Sequence, residues 1–205
     1  MLLSSLEGSA VTSIKIKGVD HEFSAISGVL EDVIQIILNV KRIRFVSYSA
    51  EPVVVKLSVK GEKEVTAADI DLTSDVELIN PGQHIATLTD KKTHFEMEFT
   101  VEKGRGYVPV EQRQKEKLPI GVIAVDAIFS PVRLVNFTVD DVRVNNRIDY
   151  NKITMEIETD GSLEPEQALK DASAILVEHF KLVNEIPVAE RVKKATKKTK
   201  KAKKE

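Results

Sequence analysis

Alternating apolar and polar positions predict β-strands over much of the chain. The clearest stretch, Phe95–Val101, places Phe, Met and Val on one side and mainly Glu on the other. This pattern is typical of an antiparallel strand with one buried and one solvated face. An apolar run from Ile120 to Phe129 ends at Ser130-Pro131, where proline stops strand pairing. Weaker alternation predicts further strands at Val11–Lys17, Arg44–Tyr48, Val53–Val59, Val76–Ile79, Ile85–Leu88, Arg133–Val139 and Lys152–Thr159.

Helical spacing of apolar residues replaces this alternation in two segments. Between Val29 and Val40 the apolar positions recur every three or four residues, and Glu31-Asp32 falls in the predicted first turn, where the helix dipole favours anions. The second segment follows Asp160-Gly161, and Pro165 suits its first helical position. Its apolar stripe, Ala168 to Val183, predicts a helix with one buried face.

The first residues indicate that the chain begins inside an element. Leu2–Leu6 resembles the end of a helix stopped by Gly8, yet an isolated turn of helix is unstable. We therefore expect either an upstream segment or a partner that completes this helix.

Composition places the chain among soluble globular proteins, with 42% hydrophobic and 30% charged residues. The absence of cysteine excludes disulfides, thiolate metal sites and a cysteine nucleophile. No segment reads as a signal peptide or approaches the roughly 20 apolar residues of a membrane span. These features predict a cytoplasmic protein that does not enter a membrane.

A net charge of −2 conceals a basic tail on an acidic body. The segment from Lys193 to Glu205 contributes +7, which leaves −9 for the rest. This segment has no apolar residue larger than Ala, and residues 189–205 are predicted to be disordered. Two interpretations of the tail stay open: a solvated solubility tail, or an arm that contacts nucleic acid without sequence specificity. In the second, the contacting residues would be Lys193, Lys194, Lys197, Lys198, Lys200, Lys201, Lys203 and Lys204.

No catalytic or metal-binding motif emerges from the sequence. The four histidines, His21, His84, His94 and His179, lack paired ligand spacing. Gly104–Tyr107 predicts a glycine turn rather than a phosphate-binding loop. Asp126 interrupts an apolar run, and a buried carboxylate needs partners. We interpret it as a structural anchor or an interface residue in preference to a catalytic acid.

Several stretches together resemble the assembly domain, the N-terminal domain, of the bacterial RNA polymerase alpha subunit. The resemblance covers residues 1 to about 185 in order and spacing. The matching stretches are LLSSL (2–6), HEFS (21–24), GVLEDVIQIILNVK (28–41), VTAADI (65–70), GRGYVP (104–109), PIG (119–121), VDAIFSPV (125–132) and EPEQAL (164–169).

The resemblance implies an α+β protein of two interleaved subdomains. Residues 1–8 and 131–188 would form a dimerisation subdomain of helix and sheet, truncated at its start, and residues 9–130 an inserted, strand-rich subdomain. It also implies a homodimer through the first and last helices. The last helix would contribute Leu169, Ala172, Ile175, Leu176, Phe180 and Val183.

The resemblance further implies a non-catalytic scaffold for the beta and beta-prime polymerase subunits. Nucleotidyl transfer and its magnesium would belong to those partners, and this chain would hold no cofactor, so it would be an enzyme component only as a polymerase subunit. Carrying the family's positions over, the expected large-subunit contacts are Leu3, Ser4, Ser5, His21, Glu22, Phe23, Ser24, Lys41, Val125, Asp126, Ser130 and Pro131. The polymerase would place the chain at the bacterial nucleoid.

Two departures from the family pattern qualify these expectations. Family members carry further residues upstream, with an early strand and most of the first dimer helix. Where the family carries a C-terminal DNA-binding domain, we expect the lysine-rich tail to stand in its place, so sequence-specific promoter contact is not predicted. The rival hypothesis is a free-standing nucleic-acid-binding protein that acts through this tail.

Overall fold

The predicted strands form one large antiparallel sheet and several strand pairs around it. The computed structural model describes residues 1–113, 119–144 and 147–186, so the predicted disordered tail lies outside the described part. The strands within that part are β1 (Glu7–Ile16), β2 (Phe45–Ser47), β3 (Val53–Lys60), β4 (Lys63–Thr66), β5 (Ile70–Asp71), β6 (Val76–Leu78), β7 (His84–Leu88), β8 (His94–Arg105), β9 (Tyr107–Val108), β10 (Val122–Ala124), β11 (Ala127–Ile128), β12 (Val132–Val144) and β13 (Arg147–Thr159). The helices are α1 (Val33–Val40), α2 (Val110–Arg113) and α3 (Pro165–Asn184), with a 3₁₀ turn at Ala67–Asp69. The predicted mixed fold of the α+β class is confirmed.

The large sheet has seven strands in the described residues and is organised around β1. Its order is β5-β3-β8-β1-β2-β6, and β10 also pairs with β1. One edge of β1 carries β8, and the other is shared between β2 near Ser9 and β10 near Ile14. A bulge at Thr12 turns β1 toward β10, and the Thr12 carbonyl accepts the Val125 N–H at 2.9 Å. The remaining strands form the pairs β4–β7, β9–β11 and β12–β13.

The main hydrophobic core lies between this sheet and α1. The alternation in Phe95–Val101 is confirmed, because Phe95, Met97, Phe99 and Val101 are each at most 1% exposed, whereas the residues between them reach solvent. The buried side of α1, Val33, Ile36 and Val40, is fully covered. Burial of a large aliphatic or aromatic side chain stabilises a fold by about 1.5–3 kcal/mol, so this layer is its main source of stability.

Helix α1 begins later than the sequence predicts. Its first residue is Val33 rather than Val29, because Asp32 is the N-cap and its carboxylate accepts the Gln35 N–H at 2.7 Å. Glu31 lies before the helix and accepts hydrogen bonds from the Thr87 N–H and hydroxyl. Burial alone would raise the pKa of Glu31, but these bonds and that with His84 outweigh it and hold the pKa below its ordinary value.

The helical interpretation of Leu2–Leu6 is wrong. These residues form a turn, and strand β1 begins at Glu7. Gly8 lies inside β1 opposite Gly104 of β8. A β-carbon on Gly8 would overlap the Phe129 carbonyl oxygen, and one on Gly104 would lie 2.6 Å from the Phe129 ring. Gly8 therefore permits close packing instead of ending a helix.

A second hydrophobic cluster lies outside the main core. Its buried members are Leu6, Val132, Ala168 and Ala172. They join the start of the chain to the β12–β13 hairpin and to α3, which begins at Pro165 as predicted. This grouping accords with the proposed division into residues 1–8 with 131–188 and residues 9–130, which stays a prediction.

A buried ion pair connects the segment after α1 to the turn before α3. Arg44 Nε lies 3.1 Å from Asp160 Oδ2, and the two side chains are 14% and 6% exposed. The Arg44 N–H donates to Asn80 Oδ1 at 2.7 Å, and Asp160 accepts the Ser162 N–H at 3.0 Å. Burial lowers the pKa of Arg44, and the Asp160 carboxylate opposes that effect. The pair thus fixes the hairpin and α3 against the large sheet.

We expect Gly8→Ala to destabilise the fold by about 2 kcal/mol, because the new methyl group must displace the Phe129 backbone. Urea denaturation of the full chain measures this loss. Gly82→Ala is the matched control, since a β-carbon there meets nothing within 4 Å, and it should change stability by less than about 0.5 kcal/mol. Equal stability of the two variants would contradict the close-packing role of Gly8.

We expect Asp160→Asn to cost roughly 3 kcal/mol of unfolding free energy, because it leaves the Arg44 charge buried without an opposite charge. The same denaturation experiment provides the measurement. The control is Glu98→Gln, which removes an exposed ion pair with Lys56 and should cost less than about 1 kcal/mol. A loss at Asp160 no larger than that at Glu98 would show that the buried pair does not hold the junction.

Candidate functional site

The predicted large-subunit residues fall into two groups in the structure. Lys41, Val125, Asp126 and the loop His21–Ser24 lie around the C-terminal half of α1 and strand β10. The other group borders the second hydrophobic cluster and consists of Leu3, Ser4, Ser5, Ser130 and Pro131. The contacts of both groups with large subunits stay predictions.

Asp126 is the centre of the first group. Its carboxylate accepts the Lys41 ammonium at 2.9 Å and the Val110 N–H at 2.9 Å. The Val110 hydrogen bond, followed by the one from Lys41, holds the pKa of Asp126 below its ordinary value. The anchor interpretation of Asp126 therefore has a structural basis: the carboxylate ties α1 to the start of α2.

Two neighbours of Asp126 complete this arrangement. The Arg113 guanidinium donates to the Val125 carbonyl and to the Thr12 carbonyl, the latter at 3.1 Å. Val125 itself is 1% exposed, so its side chain packs in the core and offers no surface to a partner. The apolar run Ile120–Phe129 is accordingly split into β10 and β11, with Val125-Asp126 between them.

The loop His21–Ser24 precedes α1 and presents exposed side chains. Ser24 Oγ and His21 Nδ1 are 3.1 Å apart, and the Ser24 carbonyl accepts the Val33 N–H at 3.3 Å. Phe23 is 78% exposed, and Glu22 is also exposed. An aromatic side chain held out into solvent beside a fixed helix is a typical anchor for a protein partner.

The second group combines exposed and buried residues. Leu3 is 51% exposed and Ser4 is exposed, whereas Ser5 is half-buried and donates its N–H to the Met1 carbonyl at 2.9 Å. The Ser130 hydroxyl donates to the Val132 carbonyl at 3.1 Å. Pro131 is buried, and its carbonyl accepts the Asp160 N–H at 2.9 Å. Only the first two of these residues thus present an open surface.

The predicted dimer residues lie along α3 with a gradient of exposure. Ala172 is buried in the second cluster, and Ile175 packs at its edge. Leu169 and Leu176 are each 40% exposed, and Val183 and Phe180 reach 60% and 68%. The apolar stripe therefore begins in the core and ends in solvent.

The β12–β13 hairpin also exposes apolar side chains. Phe137 pairs with Met155 and Val139 with Ile153. These two pairs lie on one face of the hairpin, and their side chains are between 40% and 65% exposed. Alternation in the predicted strands could have revealed this face, because Phe137, Val139, Ile153 and Met155 fall on one side. Clustered exposed apolar side chains of this kind are typical of interaction sites.

The histidines show ordinary polar contacts. His84 lies between Glu31 and Glu64 at 2.9 and 3.1 Å, and His94 contacts Glu96 at 3.0 Å. His179 is exposed on α3. Among the described residues, no three His, Asp or Glu side chains are grouped to hold a metal ion. None of the helices in the described ranges is long and apolar enough to cross a membrane.

Comparison with known proteins gives a consistent result. Residues 14–130 match the family described as RNA polymerase Rpb3/RpoA insert domain. The chain is 53% identical over 182 residues to the DNA-directed RNA polymerase subunit alpha of Symbiobacterium thermophilum, a match that covers 89% of the chain and 58% of that protein. It is 52% identical over 182 residues to the protein of the same name from Moorella thermoacetica, with the same coverage. The namesake from Roseiflexus castenholzii is 48% identical over 183 residues, covering 89% of the chain and 56% of the relative.

These matches bear on the two hypotheses drawn from the sequence. The chain spans somewhat more than half the length of these relatives. Their shared name favours the polymerase interpretation over a free-standing nucleic-acid-binding protein.

We expect the stabilising effect of Asp126 to depend on pH in a defined direction. Because its folded-state pKa is depressed, its contribution is complete above its ordinary value of 3.8 and is lost as pH falls through the lower folded value. Asp126→Asn should therefore be less stable than wild type at neutral pH, and this difference should shrink below about pH 4. Urea denaturation at both pH values measures it, and a difference that is unchanged by acid would contradict the role of the carboxylate.

Proposed function

Since the chain belongs to the RNA polymerase alpha subunit family, we propose that it is a non-catalytic assembly subunit of DNA-directed RNA polymerase. It would form a homodimer and bring the beta and beta-prime subunits together. Support comes from the family match over residues 14–130, and from surfaces suited to binding proteins rather than small substrates.

The observation that carries this proposal is the exposed end of the α3 stripe. Phe180 and Val183 leave more than half of their surface in solvent on the isolated chain. Burying such side chains against a second copy would remove apolar area from water at about 25 cal/mol per Å². A two-fold axis would place the same stripe on both sides of the contact, as is usual for homodimers.

Docking of the large subunits is proposed at the two groups of carried-over residues. Phe23, Glu22, Leu3 and Ser4 offer exposed side chains for this role. Lys41 and Asp126 are bonded to each other, so their part is to hold the surrounding surface in shape. The pair is still 22% and 32% exposed, which leaves it accessible at the edge of a contact.

The chemistry of the complex would belong to the partners. We propose that nucleotidyl transfer and the magnesium it uses lie in the large subunits, and that this chain holds no cofactor of its own. Its place would be the bacterial cytoplasm, at the nucleoid. The lysine-rich tail would add a DNA contact without sequence specificity, since lysines release counterions from phosphates.

We expect the full chain, co-expressed with beta and beta-prime subunits, to be recovered with them and to be a dimer of 22.8 kDa chains when purified alone. Phe180→Asp should raise the dimer dissociation constant at least about tenfold, because it places a charge in the apolar contact. Light scattering over a concentration series measures the dimer, and affinity purification measures recovery of the large subunits.

The matched control is Lys181→Asp, which introduces the same side chain at the adjacent exposed position of α3. It should leave both the dimer and the recovery of large subunits close to wild type. A wild-type chain that is monomeric and recovers no large subunit would refute the proposed function. A Phe180→Asp variant that dimerises as the control does would refute the assignment of the α3 stripe.

A further inference from the structure

A cleft lies between the large sheet and the turn that leads into α3. Its volume is about 200 Å³. Strands β1, β2 and β8 line it where Ser9 pairs with Phe45 on one side and with Lys103 on the other. The turn contributes Ser162 and Leu163 to the lining. An occupant of this cleft would therefore contact the sheet and the segment before α3 at the same time.

Most of the surface that lines the cleft is apolar. Phe45 is 1% exposed, Pro131 is buried, and the half-buried Leu163 packs against the second hydrophobic cluster. Small-molecule sites typically combine such an apolar lining with a few placed polar groups. Since an apolar cavity of about 150 Å³ accommodates benzene, the cleft has room for one ring and a small polar group.

The charge at the edge of the cleft is positive. Glu7 and Lys103 are the two charged residues in its described lining. The Glu7 carboxylate accepts hydrogen bonds from Arg105, with Oε1 at 3.1 Å from Nε, so its charge is already balanced. Across the described ranges, no carboxylate lies within ion-pair distance of the Lys103 ammonium. This edge consequently favours an anionic group.

Ser9 offers a second hydrogen-bond donor beside Lys103. Its Oγ accepts the Ser47 N–H at 3.0 Å, which fixes the side chain and leaves its hydroxyl hydrogen to donate. Ser9 and Lys103 are directly opposite each other in the β1–β8 register, and side chains at such positions are neighbours. A carboxylate can therefore accept from the Ser9 hydroxyl with one oxygen and from the Lys103 ammonium with the other.

We propose that this cleft binds a small apolar carboxylate of about the size of benzoate. Its ring packs against Phe45 and Leu163, and its carboxylate accepts hydrogen bonds from Lys103 and Ser9. Charge-assisted hydrogen bonds of this kind are stronger than those between neutral groups. Because the ligand contacts both the sheet and the turn before α3, its binding stabilises the folded chain. This inference goes beyond the assembly function and does not depend on it.

Titration of the full chain with sodium benzoate, followed by NMR, tests the site. We expect a saturable change with a dissociation constant of about 1 mM, as is usual for a ligand of so few atoms. Nuclear Overhauser effects from the ring protons to the Leu163 methyl groups locate the ligand in the cleft. A tenfold excess of benzoate over the dissociation constant should raise the midpoint of thermal unfolding by about 3–6 °C.

One ligand and one variant test the anionic part of the proposal. Benzamide has nearly the same shape without the charge, and Lys103→Met removes the ammonium from an exposed side chain. Each should weaken binding at least about fivefold, as expected for one partly exposed charge pair. The matched control is Lys15→Met, which removes an exposed lysine of the same sheet outside the cleft and should bind benzoate as the wild type does.

Two results would overturn the proposal. The first is a benzoate titration that does not saturate or that produces no Overhauser effect at Leu163. The second is equal affinity of the wild type for benzoate and benzamide, which decides the question even if Lys103→Met fails to fold. Neither result bears on the assembly function, because recovery of the large subunits is measured separately.

Discussion

The fold depends on the pairing of β1 with β8. Both strands carry a glycine at the point where Phe129 crosses them, so Gly8 and Gly104 let the β11 region pack directly on the backbone. From there β1 pairs with β2 through Ser9 and, after the bulge at Thr12, with β10. A displacement of β1 would therefore disturb the main core and the Asp126 anchor together. The buried ion pair of Arg44 and Asp160 connects the hairpin and α3 to the large sheet, so their position also depends on it.

The predicted contact residues are of two kinds in the structure: some are buried or bonded to each other and support a surface, and others have exposed side chains that a partner can contact. Val125, Pro131 and Ala172 are buried, and Lys41 and Asp126 satisfy each other. Exposed apolar side chains lie elsewhere, on the loop before α1, on the β12–β13 hairpin and along the end of α3. On the isolated chain these apolar side chains remain in contact with solvent. This distribution fits a subunit whose surfaces are covered in a larger assembly, as the family suggests.

The spacing of apolar side chains predicted those strands and helices whose structure depends on neighbouring residues in the sequence. The period-two run Phe95–Val101 and the helix from Pro165 follow directly from side-chain spacing. The sequence could not reveal that Gly8 lies under Phe129, or that Arg44 meets Asp160, because these partners are distant in the chain and no spacing rule links them. Asp126 was recognisable as a polar residue in an apolar run. Its partner Val110 was not, because the contact is made by a backbone N–H and does not depend on the type of side chain. Resemblance to a family supplied candidate surfaces, and burial then decided which side chains are accessible.

We propose that two copies of this chain assemble with two large subunits. Native mass spectrometry of the complex, purified through a tag on the beta subunit after co-expression of the full chain with beta and beta-prime, tests it most directly. We expect a complex that contains two copies of this chain with one beta and one beta-prime subunit. A mass that includes no copy of the chain, or a single copy bound to both large subunits, would contradict it.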